Sequence, residues 1–304
     1  MEARKIGSLT VPLVGIGCNN FGWRIDAAAT AKVVDAALDA GAHFFDTADI
    51  YGDGQSEDFL GRALEGKRDR AIIATKFGMK LGGFAGGAKA SYVRASVEGS
   101  LKRLRTDVID LYQIHKPDPG TLIADTLGAL DELVTAGKVR EIGCSNFSAG
   151  QLREAAGAVQ PGRARFVSVQ NDYSMLQREP EAEVLPECTR QGLTFLPYFP
   201  LASGLLTGKY HKGQPFPDAS RGKDAFGPKV FTGENLTKVE ILASFAEQRG
   251  HTLLELAFAY LAAHPQVACV IAGAKTPEQV RANAASGAWH LSEDDLTQLS
   301  GILA

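Results

Sequence analysis

The chain has 304 residues, 45% of them hydrophobic and 22% charged, with a formal net charge of −3. That balance gives no electrostatic reason to expect nucleic acid or an anionic bilayer as partner, and it suits a chain that buries a large core. No run approaches eighteen apolar residues and no long apolar leader follows Met1, which argues against a membrane helix and a secretory signal. Four scattered cysteines, Cys18, Cys144, Cys188 and Cys269, form no CxxC pair and fit a reduced, cytoplasmic protein.

Residues 1–12 precede the first buried run and suit a small hairpin. From there apolar, strand-like runs alternate with segments in which apolar residues recur at three and four. The runs, in chain order, are LVGIG, AHFFD, AIIATK, VIDLYQIH, VREIGCSN, FVSVQ, LTFLPY and VACVIAG. The helical segments between them begin with AAATAKVVDAALDA and SEDFLGRALEG and end with NLTKVEILASFAEQRG. Gly41, Gly137 and Gly192 fall where helices stop. Near-continuous apolar strands predict a parallel sheet covered on both faces, and eight βα units close into a (β/α)₈ TIM barrel. A doubly wound open sheet is the alternative. No composition shift or linker divides the chain, so residues 1–304 read as one domain. Two internal stretches exceed an ordinary connection, GMKLGGFAGGAKA after the third run and Pro200 to about Glu234 after the seventh. Both leave the end of the barrel where active sites sit. LSEDDLTQLSGILA reads as an extra C-terminal helix.

The runs end on a ring of polar residues: Asp46, Lys76, His115, Ser145 with Asn146, Gln170 and Tyr198. In a barrel these ends share one mouth, and Tyr51 lies in the loop just beyond Asp46. A phenol titrates near ~10 and is a reluctant acid. A lysine ammonium at about 4 Å stabilises phenolate by roughly 4 kcal/mol at an effective dielectric of ~20, an upper value of about three pK units that desolvation opposes. Asp46 would keep a buried Lys76 charged. His115 would hydrogen-bond a carbonyl oxygen. The set suits protonation of a carbonyl oxygen while a hydride attacks its carbon, which requires a nicotinamide cofactor. Ser145, Asn146 and Gln170 suit its carboxamide and Tyr198 its ring. In GAKTPEQVRANA a Gly, a Lys and a Thr open the eighth helix and suit a phosphate. Trp23, Phe77 and Phe84 stand in or beside mouth loops and are candidates for a substrate pocket. GLLTGK is one residue short of a P-loop, GIGCNNFG misplaces the third glycine of a dinucleotide fingerprint, and six histidines without HxxxH spacing give no metal signal.

The segments FFDTADIYG, ATKFG, LYQIHKPD, VREIGCSNF, VSVQNDYS, LPYFPLASGLLTGKY and IAGAKTPEQVRANA together resemble the aldo-keto reductase family, from about residue 6 to residue 290. The resemblance implies a barrel that binds NADP(H) without a Rossmann domain and reduces aldehydes or ketones to alcohols. It makes Asp46, Tyr51, Lys76 and His115 the catalytic residues, with Tyr51 the proton donor. It places Leu201, Ser203 and Lys209 along the pyrophosphate, and Gly273, Lys275, Thr276, Gln279 and Asn283 at the adenosine-phosphate end. Lys275 and Thr276 favour the 2′-phosphate of NADP. Among relatives it looks closest to bacterial reductases and to potassium-channel β subunits. The alternative function is therefore a regulatory subunit that holds NADP(H) and reports redox state. A weaker third reading uses Lys76 as a Schiff base. The expected partner is a small-molecule carbonyl substrate, with no nucleic acid and no membrane; the oligomeric state is open.

Overall fold

Short apolar runs bury both faces only when each lies between two others under a cover of helices, and that constraint organises the chain. The computed structural model describes residues 1–81, 86–215 and 227–303. A hairpin of β1 (Ala3–Ile6) and β2 (Leu9–Pro12) comes first, its turn made by Gly7 at φ +56°. Eight parallel strands follow: β3 (Val14–Gly17), β4 (Phe44–Asp46), β5 (Ile72–Phe77), β6 (Ile109–Ile114), β7 (Val139–Ser145), β8 (Phe166–Asp172), β9 (Thr194–Tyr198) and β10 (Val270–Gly273). They hydrogen-bond in the order β10-β3-β4-β5-β6-β7-β8-β9. A parallel bridge between Phe195 and Val267, just ahead of β10, draws the two ends of the sheet together. The protein is a (β/α)₈ barrel.

The outer layer is α1 (Ala27–Asp39), α2 (Gln55–Ala63), α3 (Ala90–Leu104), α4 (Ile123–Thr135), α5 (Ala149–Ala158) and α6 (Val184–Gln191), one after each barrel strand from β3 to β8. After β9 come a short turn of helix, α7 (Gly227–Val230), then α8 (Gly233–Glu247) and α9 (Leu253–Ala262). The layer ends with α10 (Pro277–Ser286) and the extra helix α11 (Glu293–Leu303). Helix starts are fixed by side chains that satisfy otherwise unpaired amides: Asp26 for α1, and reciprocal boxes of Ser148 with Gln151 for α5 and Thr252 with Glu255 for α9. Helix α9, LLELAFAYLA, is an element that apolar periodicity does not mark. It is buried almost all round, with no polar stripe to reveal it. Among the described residues no helix is long and apolar enough to cross a membrane.

The apolar interior has two parts. The larger lies between sheet and helices. The smaller fills the lower barrel, where Ile6, Leu9 and Val11 of the hairpin pack with Phe44, Ala74, Leu111, Leu196 and Ile271. The hairpin is therefore a floor that leaves the opposite end, where the strands finish, as the barrel's mouth. Ser8 fastens it by donating its backbone N–H to Glu141 at 2.7 Å, and Arg4 donates to the Ala262 carbonyl at 2.9 Å. Ile6 is fully buried. Ile6→Ala is expected to lower the unfolding free energy by about 2–5 kcal/mol, read from urea denaturation, because the rigid floor cannot collapse into the hole.

Candidate active site

Asp46 is the last residue of β4 and Lys76 the next to last of β5. Both are buried, and the Lys76 ammonium donates to Asp46 Oδ2 at 2.7 Å and to the Thr47 carbonyl at 2.9 Å. Beyond β4 the chain keeps its sheet bonding for three more residues: Thr47 N–H donates to Ala74 O and Asp49 N–H to Lys76 O. That extension carries Tyr51 over the same end, where it opens a 3₁₀ turn, Tyr51–Gly54. The turn fits because Gly52 takes φ +58° and passes close to the Phe21–Gly22 backbone. A Cβ there would stand 3.0 Å from the Phe21 carbonyl oxygen. Lys76 Nζ lies 5.2 Å from the Tyr51 ring centre, and the His115 ring meets Tyr51 edge-on at 5.8 Å. His115 follows directly after β6. Asp46, Lys76 and His115 from three strand ends and Tyr51 from the loop beyond β4 thus form one cluster at the mouth.

The electrostatics differ in one respect from the Coulomb reading of the sequence. Burial raises the Tyr51 phenol above its ordinary range, and the Lys76 ammonium only partly offsets this, so the phenol does not titrate near neutrality. Burial alone would discharge Lys76, but Asp46 and the Tyr51 oxygen outweigh it and hold the ammonium more firmly charged than a free lysine. Buried in an ion pair with Asp46, Lys76 does not present the free amine that a Schiff base needs. His115 is pushed down to about 3 by burial, then by Lys76 and Lys116, and is neutral at physiological pH; its Nδ1 is buried without a partner.

A cleft of about 660 Å³ opens over the cluster and runs to the start of α10. Asp46, Tyr51 and His115 line one part of it, with Ser145, Asn146, Gln170 and Tyr198 beside them. Asn146 holds φ +62°, a left-handed conformation asparagine tolerates, which turns its side chain to donate to the His115 carbonyl (2.9 Å) and accept from the Tyr198 hydroxyl (2.8 Å). Ser145 donates to the Gln170 carbonyl at 2.7 Å. Further along, Leu201, Ser203 and Lys209 line the wall. Ala202, Ser203 and Gly204 take φ values of +45°, +56° and +93° in succession, a local strain of the kind that gathers at ligand sites. At the far end lie Gly273, Lys275, Gln279 and Asn283. The Asn283 Nδ2 is buried and unpartnered, an unmet donor in the wall of the cleft. Gly273 keeps the wall thin, since a Cβ there would sit 3.2 Å from Asn20 Nδ2. An elongated groove with a cation at a helix start, an orphan amide further along the same helix and aromatics at its other end fits a nicotinamide dinucleotide.

Two expected residues stand elsewhere, and a third falls outside the described residues. Phe77 is fully buried and stacks on Tyr112 at 4.8 Å, on the helix side of the sheet, because it follows the inward Lys76 and strand neighbours point oppositely. Thr276 is the N-cap of α10, accepting from the Gln279 N–H, and does not line the cleft. Phe84 lies outside the described residues. Trp23 does reach the cleft, 63% exposed at the rim, with the Arg24 guanidinium 4.3 Å from its ring centre. Sequence reasoning missed Arg24, Asn20, Asp49 and Gln113. Gln113 had a readable signal: it stands two residues before His115, on the same face of its strand.

A model of the Aldo/keto reductase family matches residues 13–304. The chain is 37% identical to the aldo-keto reductase YhdN of Bacillus subtilis, across 100% of this chain and 91% of that protein. It is 35% identical to the aldo-keto reductase yakc of Schizosaccharomyces pombe, whose name carries NADP(+), across 93% and 86%. A glycerol dehydrogenase from Gluconobacter oxydans superimposes with a TM-score of 0.87 at 30% identity, covering 99% of this chain and 95% of that one.

Beneath the Tyr51 turn, Asp49 is buried with Oδ1 unpartnered, Oδ2 accepting from Ser96 at 3.3 Å, and the acid Glu57 and base Arg103 nearby. Burial first and Glu57 second push its carboxyl up to about 7. A raised carboxyl favours the fold below the ordinary carboxylate range, and that contribution is lost as pH climbs to the raised value. Asp49→Asn is therefore expected to raise Tm at pH 8 by on the order of a few degrees and to leave it unchanged below pH 4. An equal loss at both pH values, in thermal melts followed by circular dichroism, would contradict the titration.

Proposed function

Because the chain belongs to the aldo/keto reductase family it is an NADP(H)-dependent oxidoreductase, and we propose that it reduces aldehydes or ketones to alcohols with Tyr51 as proton donor. The observation that carries the proposal is the cluster of Tyr51, Lys76, His115 and Asp46 at one end of a groove that suits the dinucleotide. When bound, NADP(H) supplies the hydride. His115, neutral at working pH, hydrogen-bonds the carbonyl oxygen and sets its orientation. Tyr51 keeps its proton until that oxygen becomes basic, since burial holds the phenol above its ordinary range. Lys76 steadies the phenolate left behind, and Asp46 keeps Lys76 charged. The same elevation leaves little of Tyr51 as phenolate at neutral pH, so alcohol oxidation, which needs the phenolate as base, demands higher pH than carbonyl reduction.

In the groove, Ser145, Asn146 and Gln170 meet the carboxamide, Tyr198 the nicotinamide ring, and Leu201, Ser203 and Lys209 the pyrophosphate. Gly273, Lys275, Gln279 and Asn283 take the adenosine-phosphate end. Thr276 contributes by capping α10, so that its first turn faces the phosphate. Trp23 offers an apolar rim for the carbonyl substrate. Residues 1–304 act as one catalytic unit, a view supported by a cleft that draws on residues from Gly17 to Asn283. Four buried, unpaired cysteines support a cytoplasmic setting.

Tyr51→Phe is expected to lower kcat for reduction of aromatic or 2-oxo-aldehydes by about 10²–10⁴, with NADPH binding unchanged by fluorescence titration. Wild-type turnover in this variant would refute the proton-donor role. Repeated turnover with rapid cofactor exchange separates the enzyme from a regulatory subunit that only holds the cofactor. Lys275→Ala is expected to raise KM for NADPH about tenfold and leave KM for NADH within about twofold, the pattern of a lost charge-assisted phosphate contact. Equal changes for both cofactors would sink the assignment of Lys275.

A further inference from the structure

We propose that Gln113 is a positioning residue of this reaction, donating its side-chain amide to Asp46 so that the carboxylate stays aimed at Lys76. The inference rests on the catalytic reading above and extends it to a side chain that touches neither cleft nor reacting atoms.

Asp46 is held from three directions. Lys76 occupies Oδ2 at 2.7 Å. Oδ1 receives two amides, Gln170 Nε2 at 2.8 Å and Gln113 Nε2 at 3.4 Å. These donors come from β5, β8 and β6, so three strands fix one carboxylate. Gln113 sits in register with Lys76 on one side and Gly143 on the other. Gly143 makes the room: a Cβ there would lie 3.3 Å from Gln113 Cγ and 2.6 Å from Ser168 Oγ.

An amide at this place is costly. Gln113 is fully buried, its Oε1 has no partner, and the Ser168 hydroxyl across Gly143 has none either. The inward residue below it on β6 is Leu111, part of the apolar fill of the barrel, and an apolar side chain at 113 would continue that fill without an unmet polar atom. What the amide adds is a neutral donor for Asp46. A cationic donor would compete with Lys76 for the carboxylate, whereas an amide fixes its rotation and leaves the charge for Lys76. The chain of effect runs from Gln113 to Asp46, from Asp46 to the Lys76 ammonium, and from Lys76 to the Tyr51 oxygen.

The test compares Gln113→Met, equal in length but without a donor, with Ser168→Ala, which removes the other unpartnered polar group and keeps the amide. In Gln113→Met, kcat for carbonyl reduction is expected to fall about tenfold with KM for NADPH unchanged. The rise of alcohol-oxidation kcat with pH is expected to move to higher pH, because a less firmly placed Lys76 stabilises phenolate less. Ser168→Ala should match the wild type in both. Should Gln113→Met fail to fold, Gln113→Asn, whose amide is one methylene short of Asp46, gives the same split. Wild-type kcat and pH profile in a folded Gln113 variant would overturn the proposal, as would an equal loss in Ser168→Ala. Tyr51→Phe, assayed alongside, separates the outcomes: its inactivity with an unaffected Gln113 variant rejects only the role of Gln113, and its full activity rejects the catalytic reading itself.

Discussion

The ion pair of Asp46 and Lys76 is the constraint on which the mouth of this barrel depends. Two opposite charges out of reach of water are stable only when their remaining hydrogen-bonding positions are filled, and removing one partner of such a pair typically costs about 3–5 kcal/mol. Here the Thr47 carbonyl accepts a second hydrogen bond from Lys76, while Gln170 and Gln113 donate to the other Asp46 oxygen. The pair sets the protonation of its neighbours as well. Its ammonium helps discharge His115 and partly offsets the burial that lifts Tyr51. An acid, a neutral donor and a fixed cation therefore coexist within one small volume, each kept in its state by the others.

Much of this was legible because barrel topology converts sequence position into place. An apolar run that stops on a polar residue puts that residue at the mouth, and that marks Asp46, Lys76 and His115. Standing beside a mouth loop is a weaker guide, as Phe77 shows. Strand alternation sends it to the helix side instead. Periodicity found the amphipathic helices but passed over α9, whose uniform burial leaves only the Thr252 and Glu255 box as a mark. Thr276 caps α10, and because helix caps and phosphate ligands use the same residues at the same place, sequence alone does not separate the two roles. For the Tyr51 shift the two opposing effects, Lys76 and desolvation, are both readable, but which wins depends on a burial that only the fold supplies.

The two ends of the barrel follow different physics. At the floor, the hairpin and the lower strands bury apolar side chains in ordinary backbone conformations. At the mouth, Asn146, Phe199, Ala202 and Ser203 all hold positive φ, and unpartnered polar atoms of His115 and Asn283 collect there. Each costs stability, and the apolar floor and outer layer offset the sum. The mouth is thus shaped by what must be presented rather than by what packs best.

The pairing of β3 with β10 has a consequence for how the protein is made. Val14 lies beside Val270 in the finished sheet, so the first barrel strand waits for nearly the last. While the chain emerges from the ribosome, β3 has a neighbour on one side only and presents an unpaired edge on the other. Gly273, Lys275 and Asn283 arrive with the same final segment, so a chain truncated before β10 has neither a closed barrel nor a complete groove. Such a chain carries an open edge of the kind that aggregates, and its folding in the cell is a race between synthesis of the last strand and capture of the first.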